Sequence, residues 1–197
     1  MNQQPGTNYK LFMVLLGSKA PGRHIEQHDF FFGIGTSIKE LVPEMKAFWP
    51  EAGASLHIDG WREVNTVDGY SIVVSPKGEQ KVADEKKLFF INLGGYKAGD
   101  LAEQHYTMLS VQTEQALAVQ ESKKTVFFKT NSITPSTTTK GANAHVDDKY
   151  GIDVDDIYRI EDILLPHQKA NFSISIIPNS SLPDDEIYLG YFKLDKL

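Results

Sequence analysis

The sequence predicts an α+β protein made of two tandem ββαββ-like repeats that form one pseudo-symmetric body, with an extra C-terminal β-hairpin. Three observations carry that prediction. The segment Lys10–Thr36, KLFMVLLGSKAPGRHIEQHDFFFGIGT, returns as Lys87–Thr113, KLFFINLGGYKAGDLAEQHYTMLSVQT, with ten of 27 positions identical. Average composition gives about two by chance. Each copy opens on a short apolar run closed by glycine, the pattern of a strand buried on both faces. Each copy then carries one stretch with helical spacing, flanked by strand-like segments.

In order along the chain, Leu11–Leu16 is the first strand and Leu88–Leu93 is its copy. This recurrence identifies the N-terminal apolar run as a strand rather than a signal peptide. Gly17 and Gly22, with copies Gly94 and Gly99, bracket the following loop, where a positive φ or a close approach of chains calls for glycine. Phe30–Ile34 and Tyr106–Val111 are the second strands. Ser37 and Glu40 form an S-x-x-E capping box, and Ile38, Leu41, Val42, Met45, Phe48 and Trp49 follow as one helical stripe. Pro43 kinks that helix or delays its start. The copy, Glu114–Lys124, is more polar. Leu56–Asp59 and Tyr70–Val74 read as strands joined through an Asp68-Gly69 turn. Phe172–Ile177 and Glu186–Leu194 then resemble a truncated third start of the unit, two strands with no helix.

The second half of the unit recurs at a longer offset. Gly53–Tyr70, GASLHIDGWREVNTVDGY, aligns with Gly141–Tyr158, GANAHVDDKYGIDVDDIY. Copy two therefore carries an insertion near residues 130–141, a Thr-, Ser- and Pro-containing tract without core-forming side chains. The division that follows is a tail over residues 1–9, repeat 1 over 10–76, a charged linker over 77–86, repeat 2 over 87–166 and C-terminal strands over 167–197.

The chain has 197 residues, a net charge of −6 and no cysteine. Thiolate metal sites, iron–sulfur clusters and thiol nucleophiles are thereby excluded. Without a dense Lys/Arg block, nucleic acid and anionic membranes are not expected as partners. No segment approaches the ~20 apolar residues of a transmembrane helix. A cytoplasmic location is the expectation.

The string LG-x4-G-x3-EQHD, followed by LHIDGW and VDGY, resembles a small bacterial family, the domain of unknown function fifteen forty-three. That family occurs in one or two copies per protein. The resemblance implies a bacterial protein with two tandem copies and no assigned activity. Copy two departs from the motif, with Tyr106 where copy one has Asp29, and Asp148-Lys149 where copy one has Gly60-Trp61.

The polar residues retained in both copies are the candidate site. In copy one they are Glu26, His28, His57 and Asp59; in copy two, Glu103, His105, His145 and Asp147. Residues two apart on a strand share a face, so His57 and Asp59 project together while Leu56 and Ile58 pack inward. Two imidazoles and two carboxylates suit a divalent metal such as zinc, manganese or iron, or a His–carboxylate acid/base pair. The competing reading is that they hydrogen-bond the loop and one another, a purely structural role needed twice. G-x-S-x-G and H-E-x-x-H are absent, so serine hydrolase and zincin chemistry have no support. The expected function is a cytosolic non-enzymatic module that binds a ligand or protein, with exposed sheet edges that allow a homodimer. The alternative is a hydrolase-like enzyme, metal-assisted or general acid–base, working through Glu26, His28, His57 and Asp59.

Overall fold

The computed structural model describes residues 8–78, 85–96, 101–124, 152–179, 181 and 183–197. The fold is mixed α+β, with antiparallel sheets and few helices. The chain divides into two compact units. Unit 1 comprises Met1–Asp84 and Ile163–Leu197, and unit 2 comprises Glu85–Asp162.

In unit 1, β1 (Lys10–Ser18) is one of the two inner strands of a four-stranded sheet. It pairs with β2 (Gln27–Gly35) on one side and β3 (His57–Glu63) on the other. Phe12, Val14 and Leu16 of β1 point into one core with Phe31, Ile58, Leu41, Met45, Ala52 and Leu194. Helix α1 (Val42–Phe48) packs there and follows a 3-10 turn at Ile38–Leu41. Pro43 sits in the first turn of α1, where its missing N–H has no partner to lose. The capping box forms by half. Glu40 reaches back to Thr36, accepting its N–H at 2.9 Å and its hydroxyl at 2.7 Å, while the Ser37 side chain makes no cap. These hydrogen bonds hold the Glu40 carboxyl below its ordinary range.

The strands after β3 correct the sequence reading. The Asp68-Gly69 turn joins β4 (Thr66–Val67) to β5 (Tyr70–Pro76), not β3 to β5. Both turn residues have positive φ, 53° and 77°, the type I′ geometry whose twist suits a two-residue hairpin. This hairpin belongs to a second sheet, completed by β9 (Phe172–Pro178) beside β5. The other late strand, β10 (Tyr188–Lys193), joins the first sheet beside β3. The expected C-terminal hairpin is therefore absent, because β9 and β10 find partners in different sheets. The fourth strand of the expected ββαββ unit likewise leaves the sheet of the first three.

Unit 2 has β6 (Lys87–Tyr96) between β7 (Glu103–Gln112) and β8 (Ile152–Arg159), with α2 (Gln115–Ser122) supplying Ala118 to a core of Phe89, Ile91 and Leu93. The arrangement shared by the described parts of both units is ββαβ. The chain then turns through α3 (Ile160–Ile163) and α4 (Pro166–Asn171) to β9. The expected insertion at 130–141 lies outside the described residues. No described helix is long and apolar enough to cross a membrane.

Asp185, just before β10, ties that strand to the β3–β4 loop. Its side chain is 2% exposed. It accepts the backbone N–H of Asn65 and of Thr66 at 3.1 Å. Burial raises the Asp185 pKa, against the opposing pull of the Asn65 N–H and of Arg62. Removing the acceptor strands two backbone donors, so Asp185→Ala should lower unfolding free energy by about 1–3 kcal/mol in urea titrations. A carboxyl with a raised folded pKa binds its proton more readily folded than unfolded. Its contribution is present below the unfolded pKa and is lost as pH rises through the folded value. Asp185→Asn should flatten that part of the stability–pH curve.

Candidate functional site

The site is built on the missing side chain of Gly17. Register sets Gly17 of β1 opposite His28 of β2 and opposite His57 of β3. Directly paired residues share a face, so His28 and His57 flank a strand position that carries no Cβ. A Cβ at Gly17 would collide with Asp59 Oδ2 and would come within 2.6 Å of His57 Nε2. Gly17 is not among the positive-φ residues, whereas Gly22 has φ 80° with open space around it. The two glycines of the loop thus serve different needs, close approach at one and backbone conformation at the other.

Asp59 reaches the same place through a β-bulge. Leu16 pairs with Ile58 and Leu15 with Gly60, leaving Asp59 as the extra residue. A bulge re-aims the side chain it inserts. Ile58, on the opposite face, is fully buried in the core.

The side chains of copy one converge as the sequence suggested. Glu26 Oε1 lies 2.9 Å and Asp59 Oδ1 3.2 Å from His57 Nε2, and His28 Nε2 lies 3.0 Å from Asp59 Oδ2. One ligand atom from each of Glu26, His57 and Asp59 lies within 4.8 Å of the others. His28 stands outside this trio, against the far oxygen of Asp59. The His57 side chain is only 4% exposed, while those of Glu26 and His28 are 40% and 45% exposed. The cluster therefore has a buried floor and a solvent-facing rim.

The His57 ring is oriented from behind. Its Nδ1 lies 2.8 Å from the Ser55 carbonyl oxygen. A carbonyl only accepts, so Nδ1 carries a proton and Nε2 faces the carboxylates. Buried Nε2 nevertheless has no partner in hydrogen-bond geometry, and neither does buried Asp59 Oδ2. Close approach without donor alignment is what separate ligands of one cation show. Atoms about 2.1 Å from a shared ion lie roughly 3.0–3.4 Å from each other. Tyr191 of β10 covers the other side of the imidazole, with ring centroids 4.3 Å apart. Sequence reasoning did not single out Tyr191, since its proximity depends on β10 pairing with β3.

The second copy is described in part. Gly94 takes the place of Gly17, with His105 opposite it on β7 and Asp153 opposite it on β8. The bulge recurs, with Asp155 as its extra residue. By pairing, Asp153 and Asp155 stand where His57 and Asp59 stand in copy one; the candidates His145 and Asp147 lie outside the described residues. The second cluster is Glu103, His105 and Asp155, all exposed. His105 Nδ1 lies 3.3 Å from Asp155 Oδ2. Among the described residues, copy two thus keeps the backbone of the site without a buried imidazole.

Trp61 packs on the edge of the core and stacks on Tyr188, with centroids 4.2 Å apart. It takes no part in the cluster. Gly17→Ala should force His57 and Asp59 apart and reduce stability by about 1–3 kcal/mol. Thermal unfolding of Gly17→Ala beside Gly22→Ala separates the collision from backbone strain.

The family Domain of Unknown Function (DUF1543) matches residues 23–74 through a single copy of its model. That span includes Glu26, His28, His57 and Asp59 and supports the family resemblance for the first copy alone. No curated protein matches the chain. Among solved structures, the crystal structure of a protein Il1583 from Idiomarina loihiensis is similar, with a TM-score of 0.61 and 23% sequence identity. The likeness covers 95% of this chain and 98% of that one. At that identity it shows the fold alone, a mixed α+β architecture.

Proposed function

We propose that unit 1 is a divalent-metal-binding module in which Glu26, His57 and Asp59 are the protein ligands. The observation that carries this reading is His57 Nε2. It is buried, fixed in orientation by the Ser55 carbonyl, aimed at two carboxylate oxygens and without a hydrogen-bond partner. One imidazole and two carboxylates suit zinc, manganese or iron. His28 Nε2 lies 3.0 Å from the outer oxygen of Asp59, where groups behind metal ligands commonly stand.

Hydrolysis assisted by the metal is the second reading, and the exposure of the rim favours it. Three protein ligands leave a coordination position for water, and Glu26 and His28 border solvent. A structural role for the cluster predicts the opposite response to truncation, because its histidine would then be holding the fold.

Full-length protein purified without a histidine tag should bind zinc or manganese in calorimetry with a stoichiometry near one. A value near two would mean that the exposed second cluster also binds. Metal at 100 times its dissociation constant should stabilise the fold by about 2.7 kcal/mol. His57→Ala should abolish both binding and this stabilisation. It should leave the metal-free melting temperature nearly unchanged. Stoichiometric binding by His57→Ala would sink the proposal. So would a loss above ~2 kcal/mol in the metal-free variant accompanied by no metal binding in the wild type.

A further inference from the structure

Beside the cluster, unit 1 has a cleft of about 760 Å³ between α1 and β10, within the size range of small-molecule sites. Lys46 of α1 and Lys193 of β10 both line it. Neither ammonium group makes an ion pair or hydrogen bond with a described residue, whereas those of Lys10 and Lys124 are paired with glutamates. Asp195 is the single carboxylate on the wall. The cleft is therefore net positive on a chain whose net charge is −6. Trp49 and Tyr191 add aromatic surface. Gly53 lines it as well, with φ 55° and ψ −134°. A Cβ there would meet nothing within 4 Å. Glycine is thus held there by its backbone conformation and not by crowding.

We infer that this cleft binds a small planar organic anion, with Lys46 and Lys193 on its charged group and Trp49 and Tyr191 against its ring. Unpaired ammonium groups supply charge-assisted contacts, and the aromatic walls supply offset or edge contacts to a flat ligand. The inference does not depend on the metal centre, although Tyr191 is common to both.

The test uses phenyl phosphate as probe and benzyl alcohol as its uncharged counterpart. Each is titrated into metal-stripped, dialysed full-length protein and followed by amide and indole NMR shifts. Phenyl phosphate should perturb Trp49, Gly53 and Lys193 and bind at least tenfold more tightly than benzyl alcohol. Lys46→Ala and Lys193→Ala should each weaken it about fivefold, with circular dichroism unchanged. Equal binding of the two probes would overturn the inference, as would shifts confined to other residues or an unaltered affinity in the double variant. Stripping the metal keeps this outcome separate from that of the His57 experiments.

Discussion

The bare backbone at Gly17 is the constraint on which the first unit's site depends. β1 is hydrogen-bonded on both sides, so its neighbours cannot move apart to make room for a side chain. Two histidines can face each other across it only because the intervening position is empty. The core makes the arrangement stiff. Phe12, Val14, Leu16 and Ile58 pack beneath the same strands that carry the cluster above. A slip of one residue would move every one of them to the wrong face. Site geometry and core packing are thus two faces of a single register.

The two copies separate what backbone geometry preserves from what side chains contribute. Gly94 and the bulge at Asp155 recur in unit 2 at the places of Gly17 and the bulge at Asp59. A Cβ at Gly94 would collide with Asp155, as one at Gly17 would with Asp59. The strand position opposite Gly94 carries Asp153 in place of an imidazole. Without it the second cluster lies wholly at the surface, where water competes with any ligand.

Much of this was legible in the sequence, and the failures have physical causes. The strand at Leu11–Leu16, the buried Leu41 and Met45 of the helical stripe and the shared face of His57 and Asp59 all follow from periodicity, which local geometry imposes. The stripe nevertheless breaks into a 3-10 turn and a short α1 with Phe48 exposed. The bulge carries no such mark, because an extra residue leaves the alternation of His57, Ile58 and Asp59 intact. Copy two shows a related effect. Gly141-Ala142 through His145 and Asp147 reproduces the letters of Gly53 through Asp59, while the strand that pairs with Gly94 reads Asp153-Val154-Asp155 and resembles it only in position. The C-terminal strands were found, but their partners were not. Pairing between β3 and β10 spans more than a hundred residues, and nothing local records it. Tyr191 and the cleft depend on that pairing and were invisible for the same reason.

The return of residues 163–197 to the first unit has a consequence for how the chain is made. β9 completes one sheet of unit 1 and β10 the other. Both leave the ribosome only after the whole of unit 2 has been translated. Unit 2 has its three described strands by Arg159 and can fold on the nascent chain. Unit 1 must wait, with the outer edge of β3 and the edge of β5 unpaired, until its last strands arrive. The interrupted unit is therefore the one exposed to misassembly during synthesis, and the inserted one is the first to become safe.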